Sequence, residues 1–324
     1  MSDATAVRIL LDTDMDGDCD DAAALAVLHA LADNGEAEIL AVGTCGKNPY
    51  APQTISAVNA WYGRGDIPIG APKGEAPLRT SRYTQTVAER CPHPLRTAED
   101  AEDVVALYRK LLTQADDHGV TLVTIGYHTN VAALLRSPDG IELVRRKVSR
   151  WVCMGGNFIG SPARDDLTLG NANFLVDPAA TYDAINHWPR PVVFAGREVG
   201  SVPSGLTAGA RLAETPADNP VRIAYECYFG GVCKPRHVAD PVTVLYAVRG
   251  LRDWWDLHDT GFMDLQPDMA FEWKDGPGRG QAYLLKKTLP DGATTDRAVE
   301  RVCEELMIQP PKRPRGRLTA PRRR

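Results

Sequence analysis

The sequence alternates short apolar runs rich in β-branched residues with longer segments of helical periodicity, and this alternation constrains the fold more than any other feature. The strand candidates are VRILL (7–11), EILAVGT (38–44), VTLVTI (120–125), RWVCM (150–154) and PVVFA (191–195). The helix candidates are DDAAALAVLHALAD, AEDVVALYRKLLTQADD, DPAATYDAIN, NPVRIAYECYF and DPVTVLYAVRG. Because parallel strands are joined by helical crossovers, the pattern predicts an α/β fold with a mostly parallel central sheet and helices on both faces.

The domain organisation is predicted to be one folded unit, residues 1–308, followed by a short tail, residues 309–324. Neither an internal repeat nor a Pro/Gly-rich linker divides the first 308 residues. The last sixteen residues, QPPKRPRGRLTAPRRR, hold seven Lys or Arg and no acid. Such a basic Pro- and Arg-rich tail buries too little apolar surface to fold, so we expect it to be disordered.

The charge of the folded unit argues against nucleic acid as a partner. Outside the tail the chain holds 30 basic and 42 acidic side chains, a net charge of −12. A body of that sign repels a polyanion. We therefore expect no nucleic-acid partner.

Membrane and secretory signals are not apparent in the sequence. No run approaches the roughly 18 apolar residues of a membrane helix, and MSDATAVRILL lacks the basic and apolar parts of a signal peptide. The seven cysteines are odd in number and form no C-x-x-C pair, so we expect small buried side chains instead of disulfides or zinc ligands. These features predict a cytoplasmic protein without a membrane partner.

Segment 64–100 contains clusters of Pro, Arg and His between the more regular segments. It is predicted to be a long surface loop. Long loops in compact domains often form lids or binding loops, so we expect this segment to border a site.

An aspartate cluster is the strongest chemical signal in the chain. The sequence DTDMDGDCDD places six carboxylates in ten positions, directly after an apolar strand and directly before a helix: Asp12, Asp14, Asp16, Asp18, Asp20 and Asp21. Like charges at this density repel unless a cation intervenes, and ligands gather at the carboxyl ends of strands in open α/β sheets. Hard oxygen ligands favour Ca²⁺ or Mg²⁺ over zinc.

Three other interpretations of the cluster are weaker. An EF-hand loop starting at Asp12 would need a Glu at its twelfth position, where the chain has Ala23, and a helix before it, where the chain has a strand. A phosphatase motif of the D-x-D-G type would usually have Thr where the chain has Asp18, and no convincing downstream Lys and acidic pair follows. A solvated acidic loop without a ligand is the third.

Eight motifs in register resemble the nucleoside hydrolase family over nearly the whole chain short of the tail. They are DTDMDGDCDDAAALAVLHAL, NPYAPQTISAVNAWYG with DIPIG, IGYHTNVAALL, WVCMGG, NANFLVDPAA, VGSVPSG, DPVTVLYAVRG and ELMIQPP. The resemblance implies a metal-dependent enzyme that hydrolyses the N-glycosidic bond of a ribonucleoside or related N-riboside, releasing ribose and base. It also implies a homo-oligomer and a small-molecule partner.

The resemblance assigns metal ligands to four residues: Asp14, Asp21, Ile125 through its backbone carbonyl, and Asp240. Asp14 is also expected to be the catalytic base that deprotonates the attacking water. The expected cofactor is Ca²⁺ in preference to Mg²⁺.

Ribose contacts are expected from an acid and several amides, because Asn offers a donor and an acceptor together. The corresponding residues are Asp20, Asn48, Asn157, Asn171 and Asn173. Asn171 stands where family members usually have Glu, so the hydrogen bonds at the outer edge of the ribose are expected to differ, and a substrate altered at the 5′ position is one consequence.

Ala239 is a second departure from the family pattern. Inosine-uridine-preferring members often have His there as the acid that protonates the leaving base. The nearby candidates are His128, His237, Tyr127, Tyr225 and Tyr228. The alternative to an active hydrolase is therefore a metal-dependent ribosyl- or nucleoside-binding protein that has lost turnover.

Overall fold

The computed structural model describes residues 6–159, 172–201 and 204–313, and elements are numbered within these ranges. The strands are β1 (Val7–Thr13), β2 (Ala37–Thr44), β3 (Ile69–Ala71), β4 (Glu102–Asp103), β5 (Val120–Thr124), β6 (Val148–Met154), β7 (Val192–Ala195), β8 (Thr207–Ala208), β9 (Arg236–His237), β10 (Trp255–His258), β11 (Phe262–Leu265), β12 (Phe271–Lys274) and β13 (Gln281–Lys286).

The α-helices are α1 (Asp20–Asp33), α2 (Ala51–Trp61), α3 (Thr84–Arg90), α4 (Val104–Gln114), α5 (Thr129–Arg136), α6 (Gly140–Lys147), α7 (Ala172–Val176), α8 (Pro178–His187), α9 (Arg197–Gly200), α10 (Pro220–Tyr228), α11 (Ala239–Arg249) and α12 (Asp296–Ile308). Short 3₁₀ helices cover Ala98–Asp100 and Ala210–Glu214. None of the described helices is both long and apolar enough to cross a bilayer.

A central sheet of nine strands confirms the predicted fold class. Its order is β10-β13-β7-β6-β5-β1-β2-β3-β4, and every neighbouring pair is parallel except β10 with β13. The chain runs outward from β1 to β4 on one side and then returns beside β1 with β5 to build the other side. The sheet therefore has its topological switch between β1 and β5, where open α/β folds place their ligands.

Two apolar clusters cover the opposite faces of this sheet. Alternate residues of β1 supply them: Ile9 and Leu11 belong to one cluster and Leu10 to the other. This is the period-2 pattern of a strand covered on both sides. The alanine-rich α1 is buried nearly all round, because small side chains let it pack among the sheet and other helices.

The five strands and five helices predicted from periodicity are all present, with boundaries shifted by a few residues. The helix predicted from residue 101 begins only at Val104, because Asp103 caps it by accepting a hydrogen bond from the Ala106 amide at 2.8 Å. Segment 64–100 is not one long loop as predicted. It contributes β3 to the main sheet and also contains α3.

The cysteine and tail predictions meet the structure differently. All seven cysteines are free, and five are fully buried, as expected for small apolar side chains. Gln309 and Lys312, in the first part of the predicted tail, bond to the end of α1, where the Lys312 amide donates to Asp33 Oδ2 at 2.9 Å. Residues 314–324 lie outside the described residues.

Candidate active site

A cavity of about 730 Å³ opens at the carboxyl ends of the central strands, beside the switch between β1 and β5. Its wall includes six acidic residues, five from the loop after β1 and the start of α1 and one from the start of α11: Asp14, Asp16, Asp18, Asp20, Asp21 and Asp240. The first turns of α1 and α11 thus meet here, and the positive ends of their dipoles favour the carboxylates that they carry.

The loop after β1 is held in shape by hydrogen bonds to Asp21. The Thr13 hydroxyl donates to Asp21 Oδ1, and the Met15 amide donates to the same oxygen at 3.2 Å. Met15 is fully buried with φ 46°, a left-handed conformation that side chains other than Gly rarely adopt. Backbone strain of this kind persists only where the surroundings fix it, and it is common at functional loops.

Three carboxylates meet closely enough to share one cation. One oxygen from each of Asp20, Asp21 and Asp240 lies within 4.8 Å of the other two. Burial and the charge of Asp20 raise the pKa of Asp21 to about 8. Burial, followed by the charges of Asp20, Asp21 and Asp14, also raises the pKa of Asp240. A divalent cation removes this repulsion, so the donor set fits one.

Asp14 belongs to the same group of charges. Burial raises the pKa of Asp14 well above its usual value, and the charges of Asp21 and Asp16 raise it further. Such mutual repulsion requires the carboxylates to lie near one another. Asp14 also lines the same cavity as the three carboxylates.

Ile125, directly after β5, also lines the cavity. Its amide donates to the Asp12 carbonyl at 2.8 Å, and its own carbonyl accepts a hydrogen bond from Asn173 Nδ2 at 3.0 Å. Asn173 lines the cavity beside it. The structure thus brings the carbonyl predicted as a ligand and one predicted ribose-binding amide into direct contact.

Asp12 lies beneath the cavity and does not line it. Its carboxylate accepts hydrogen bonds from Tyr108 Oη at 2.6 Å and Asn130 Nδ2 at 2.8 Å, and Asn130 also donates to the Thr44 carbonyl. Burial raises the pKa of Asp12 to about 7 against the effect of these bonds. Asp12 therefore ties together the ends of β1, β2 and α5.

A network of Asp18, Asp20, Arg236 and His237 forms part of the cavity wall, and of these only Arg236 was not a candidate from the sequence. Arg236 Nε donates to both carboxylate oxygens of Asp18 at 2.9 Å. His237 lies between Asp18 and Asp20, with Nε2 at 3.1 Å from the first and Nδ1 at 3.2 Å from the second. Burial alone would lower the pKa of His237, but the charges and hydrogen bonds of Asp20 and Asp18 raise it to about 10.

Asp16 is held by two different partners. Tyr127 Oη donates to its carboxylate at 3.1 Å, and Arg79 Nε lies 3.7 Å from it. Arg79 comes from segment 64–100, so this segment does border the cavity as expected. The basic residues of the wall, Arg79, Arg197 and Arg236, were not predicted from the sequence.

Ala239 lines the cavity at the position where an acid for the leaving group was expected. Of the five candidate donors, only His237 and Tyr228 also line it. His128 is fully buried elsewhere, its ring nitrogens 3.1 Å from Thr181 Oγ1 and 3.2 Å from Cys153 Sγ, and burial lowers its pKa to about 3.

Among the described residues, two of the predicted amides, Asn48 and Asn157, do not line this cavity. Asn48 is buried at a smaller neighbouring pocket, where Nδ2 donates to Thr84 Oγ1 at 3.2 Å and Oδ1 accepts from the Tyr50 amide. Asn157 follows Gly156 in the loop after β6 and is only partly buried. Asn171 lies outside the described residues.

Comparisons with known proteins agree with this geometry. The family model described as inosine-uridine preferring nucleoside hydrolase matches residues 9–308. No curated protein matches the chain by sequence.

Similar solved structures share the fold at low identity. A purine-preferring ribonucleoside hydrolase from Gardnerella vaginalis is 16% identical with a TM-score of 0.68, covering 93% of this chain and 98% of that one. An inosine-uridine preferring nucleoside hydrolase from Bacillus anthracis is 15% identical with a TM-score of 0.67, covering 93% and 99%. The type III effector protein XopQ, complexed with adenosine diphosphate ribose, is 15% identical with a TM-score of 0.65, covering 94% of each chain.

Proposed function

Because the chain belongs to the inosine-uridine preferring nucleoside hydrolase family, a family of enzymes, we propose that it hydrolyses the N-glycosidic bond of a ribonucleoside or related N-riboside in a metal-dependent reaction. The observation that carries the proposal is the single cavity beside the switch of the sheet that Asp14, Asp21, Asp240 and Ile125 all line. The products are ribose and the free base.

We propose Ca²⁺ as the cofactor and these four residues as its ligands. Carboxylates and a carbonyl are the oxygen donors that Ca²⁺ prefers, and Ca²⁺ accepts a variable coordination geometry whereas Mg²⁺ requires a near-ideal octahedron. The bound ion supplies positive charge that acidifies a water molecule and anchors ribose hydroxyls.

The chain's own residues then have separate roles. Asp14 takes the proton of the attacking water, because it lines the cavity and is less buried than Asp21 and Asp240. Asp20 accepts hydrogen bonds from the ribose hydroxyls, and the Asn173 amide exchanges hydrogen bonds with them. The carboxylates together stabilise the positive charge that develops on the sugar as the bond to the base breaks.

Departure of the base is the step with least support from side chains. Ala239 offers no proton, and both nitrogens of His237 lie against carboxylates. We therefore expect substrates whose leaving group departs without protonation to react best.

A panel of purine and pyrimidine nucleosides together with p-nitrophenyl riboside, assayed for released ribose with Ca²⁺ present, tests this function. We expect measurable turnover of at least one N-riboside and efficient turnover of the p-nitrophenyl compound. Absence of ribose release from every compound by folded, Ca²⁺-loaded protein would overturn the proposal.

The second candidate is a binding protein that keeps the ribosyl site without turnover. Ala239 favours it, and the XopQ structure in complex with adenosine diphosphate ribose is a related fold that holds a ribosyl ligand. Saturable binding of a nucleoside or of adenosine diphosphate ribose without any ribose release would favour this candidate.

We also propose that the protein acts in base salvage in the cytoplasm and that it forms a homo-oligomer, as the family resemblance implies. Light scattering on the purified protein tests the assembly. A monomer at micromolar concentration would remove that part of the proposal.

A further inference from the structure

Three arginines surround the outer part of the cavity, and we call Arg79, Arg82 and Arg236 the basic rim. Arg79 and Arg236 line the cavity directly. Arg82 contacts it through Tyr228, whose ring is part of the wall. The rim combines two residues from segment 64–100 with one from β9, so separate parts of the chain bring positive charge to one opening.

Tyr228 contacts two of these cations. The guanidinium carbons of Arg82 and Arg236 lie 5.5 Å and 5.3 Å from the centroid of its ring. Cation–π attraction fixes each guanidinium over the ring. Arg236 already has Asp18 as its counter-ion, so a further anion is favourable beside Arg82.

The rim has less negative charge available to it than its three cations could bind. Arg236 is satisfied by Asp18. Arg79 lies 3.7 Å from Asp16, beyond a hydrogen bond, and Arg82 has no ion pair with any described carboxylate. Arg79 and Arg82 therefore keep donors for a ligand.

Depth separates the two kinds of charge. The Asp16 and Asp20 side chains are 2% and 3% exposed, whereas that of Arg79 is 52% exposed and Arg82 is exposed as well. Asp16 and Asp20 thus lie at the floor of the cavity, and Arg79 and Arg82 lie at its mouth. A ligand whose sugar binds the metal ion at the floor and whose anionic group binds the arginines at the mouth matches both kinds of charge.

We propose that the substrate is a phosphate-bearing riboside whose phosphate binds Arg79 and Arg82 at the basic rim. This inference rests on the proposed function and names its substrate class. Water adds to C1′, the bond from C1′ to the base nitrogen breaks, and the base leaves with that electron pair and a proton, giving ribose phosphate and free base. A neutral nucleoside leaves the rim without a charged partner, whereas guanidinium groups bind phosphate through paired, charge-assisted hydrogen bonds.

The test compares inosine, inosine 5′-monophosphate and adenosine diphosphate ribose as substrates of the Ca²⁺-loaded protein. The variants are Arg79→Gln, Arg82→Gln and the double variant. Arg145→Gln is the matched control. Arg145 is 53% exposed, pairs with one carboxylate and lies on α6, which leads into the amino end of β6, whereas the cavity lies at the carboxyl ends of the strands.

We expect kcat/KM to be higher for a phosphorylated compound than for inosine. The ratio of kcat/KM for the phosphorylated compound to kcat/KM for inosine should fall about tenfold to a hundredfold in the double variant, the usual loss for hydrogen bonds to a charged group. The same ratio should stay unchanged in Arg145→Gln. A preference for the monophosphate identifies a single phosphate as the ligand. A preference for adenosine diphosphate ribose identifies a diphosphate.

Equal or better cleavage of inosine, with ratios unaffected in the double variant, contradicts the inference and leaves the proposed function intact. Calorimetry with ribose and ribose 5-phosphate covers the case of no turnover. Tighter binding of ribose 5-phosphate that is lost in the double variant supports the basic rim even if hydrolysis fails. Equal affinity for the two sugars overturns it.

Discussion

Asp14 is the residue on which the proposed chemistry depends most, since it is both a proposed metal ligand and the proposed base. Asp14→Asn removes one negative charge and the proton acceptor, so we predict a loss of kcat of about 10³ or more with the fold retained. Asp16→Asn is the control, because Asp16 is tied to Tyr127 and Arg79 and lies outside the proposed ligand set. We expect less than a tenfold loss there.

Steady-state kinetics and circular dichroism of both variants check this assignment. Near-native kcat in Asp14→Asn would remove Asp14 from its role. Equal losses in the two variants would mean that the acidic loop acts only through its total charge.

Ala239 makes a prediction about the leaving group. General-acid assistance is typically worth about 10² to 10⁴ in rate, so the ratio of kcat/KM for p-nitrophenyl riboside to that for inosine should be large. Ala239→His should lower the ratio by improving inosine, because Ala239 lines the cavity and has room for a side chain only on that side. Gly200 packs against its other side, where even a Cβ on Gly200 would lie 2.7 Å from Ala239 Cα.

The comparison needs only the two substrates and the two proteins. A similar efficiency on both substrates in the unmodified protein would show that another residue already supplies the proton. His237 would then be the first to replace, because His128 lies outside the cavity.

His29 links stability to pH through its burial in α1. Its Nε2 lies 2.8 Å from Asn59 Oδ1, its ring stacks on Tyr62, and burial lowers its pKa to about 3. The unfolded chain, with a pKa of about 6.5, takes up a proton that the folded chain refuses. Stability is therefore lost as the pH falls from 6.5 toward 3, and His29 alone contributes about 2 kcal/mol of loss between pH 7 and pH 5.

Urea unfolding at these two pH values measures the effect. His29→Gln should lose about 2 kcal/mol less than the unmodified protein over this interval. Identical slopes in His29→Gln and the unmodified protein would contradict the account.

Contacts between residues close in sequence could be predicted, and contacts between distant residues could not. The six aspartates of residues 12–21 are close together in the chain, so it was predictable that their carboxylates lie near one another. The pairing of Asp18 with Arg236 joins residues 218 positions apart, and no local pattern marks Arg236 as a partner. The rim arginines were missed for the same reason.

The site depends on how closely the loop after β1 approaches the loop after β5. A Cβ on Gly126 would lie 2.4 Å from the Asp14 amide nitrogen and 2.6 Å from Cys45 Sγ. Because the first contact is backbone, Gly126→Ala must move one loop. We predict at least a tenfold weaker Ca²⁺ affinity in a protein that still folds.

Gly74→Ala is the matched control, since a Cβ there meets nothing within 4 Å. Calorimetry with Ca²⁺ on both variants is the measurement. Unchanged affinity in Gly126→Ala would show that the loop after β5 contributes nothing to the metal site.

Elements with strong periodicity were predictable, and short or edge elements were not. The three-residue β3 and the two-residue β4 carry too few residues to show any period. The edge strand β10 and its neighbour β13 come late in the chain, among turns, and β13 joins the sheet beside β7, far from it in sequence. Pairing at such distance is a property of the assembled sheet.

For the whole molecule, fold and site follow from one arrangement. The sheet reverses its order beside β1, and both the acidic loop and the Ile125 carbonyl lie at that point. The fold class was therefore enough to predict where the cavity opens. The chemistry of that ligand depends on residues, such as Ala239 and the basic rim, whose positions only the assembled structure gives.

The most direct test of the central claim is ribose release by chelator-treated protein as Ca²⁺ is added back, with p-nitrophenyl riboside as substrate. The account predicts negligible activity without metal, saturable recovery with Ca²⁺, and a parallel rise in melting temperature, since an ion that binds only the folded state stabilises it. Full activity in the metal-free protein, or none at saturating Ca²⁺ in a folded protein, would contradict it.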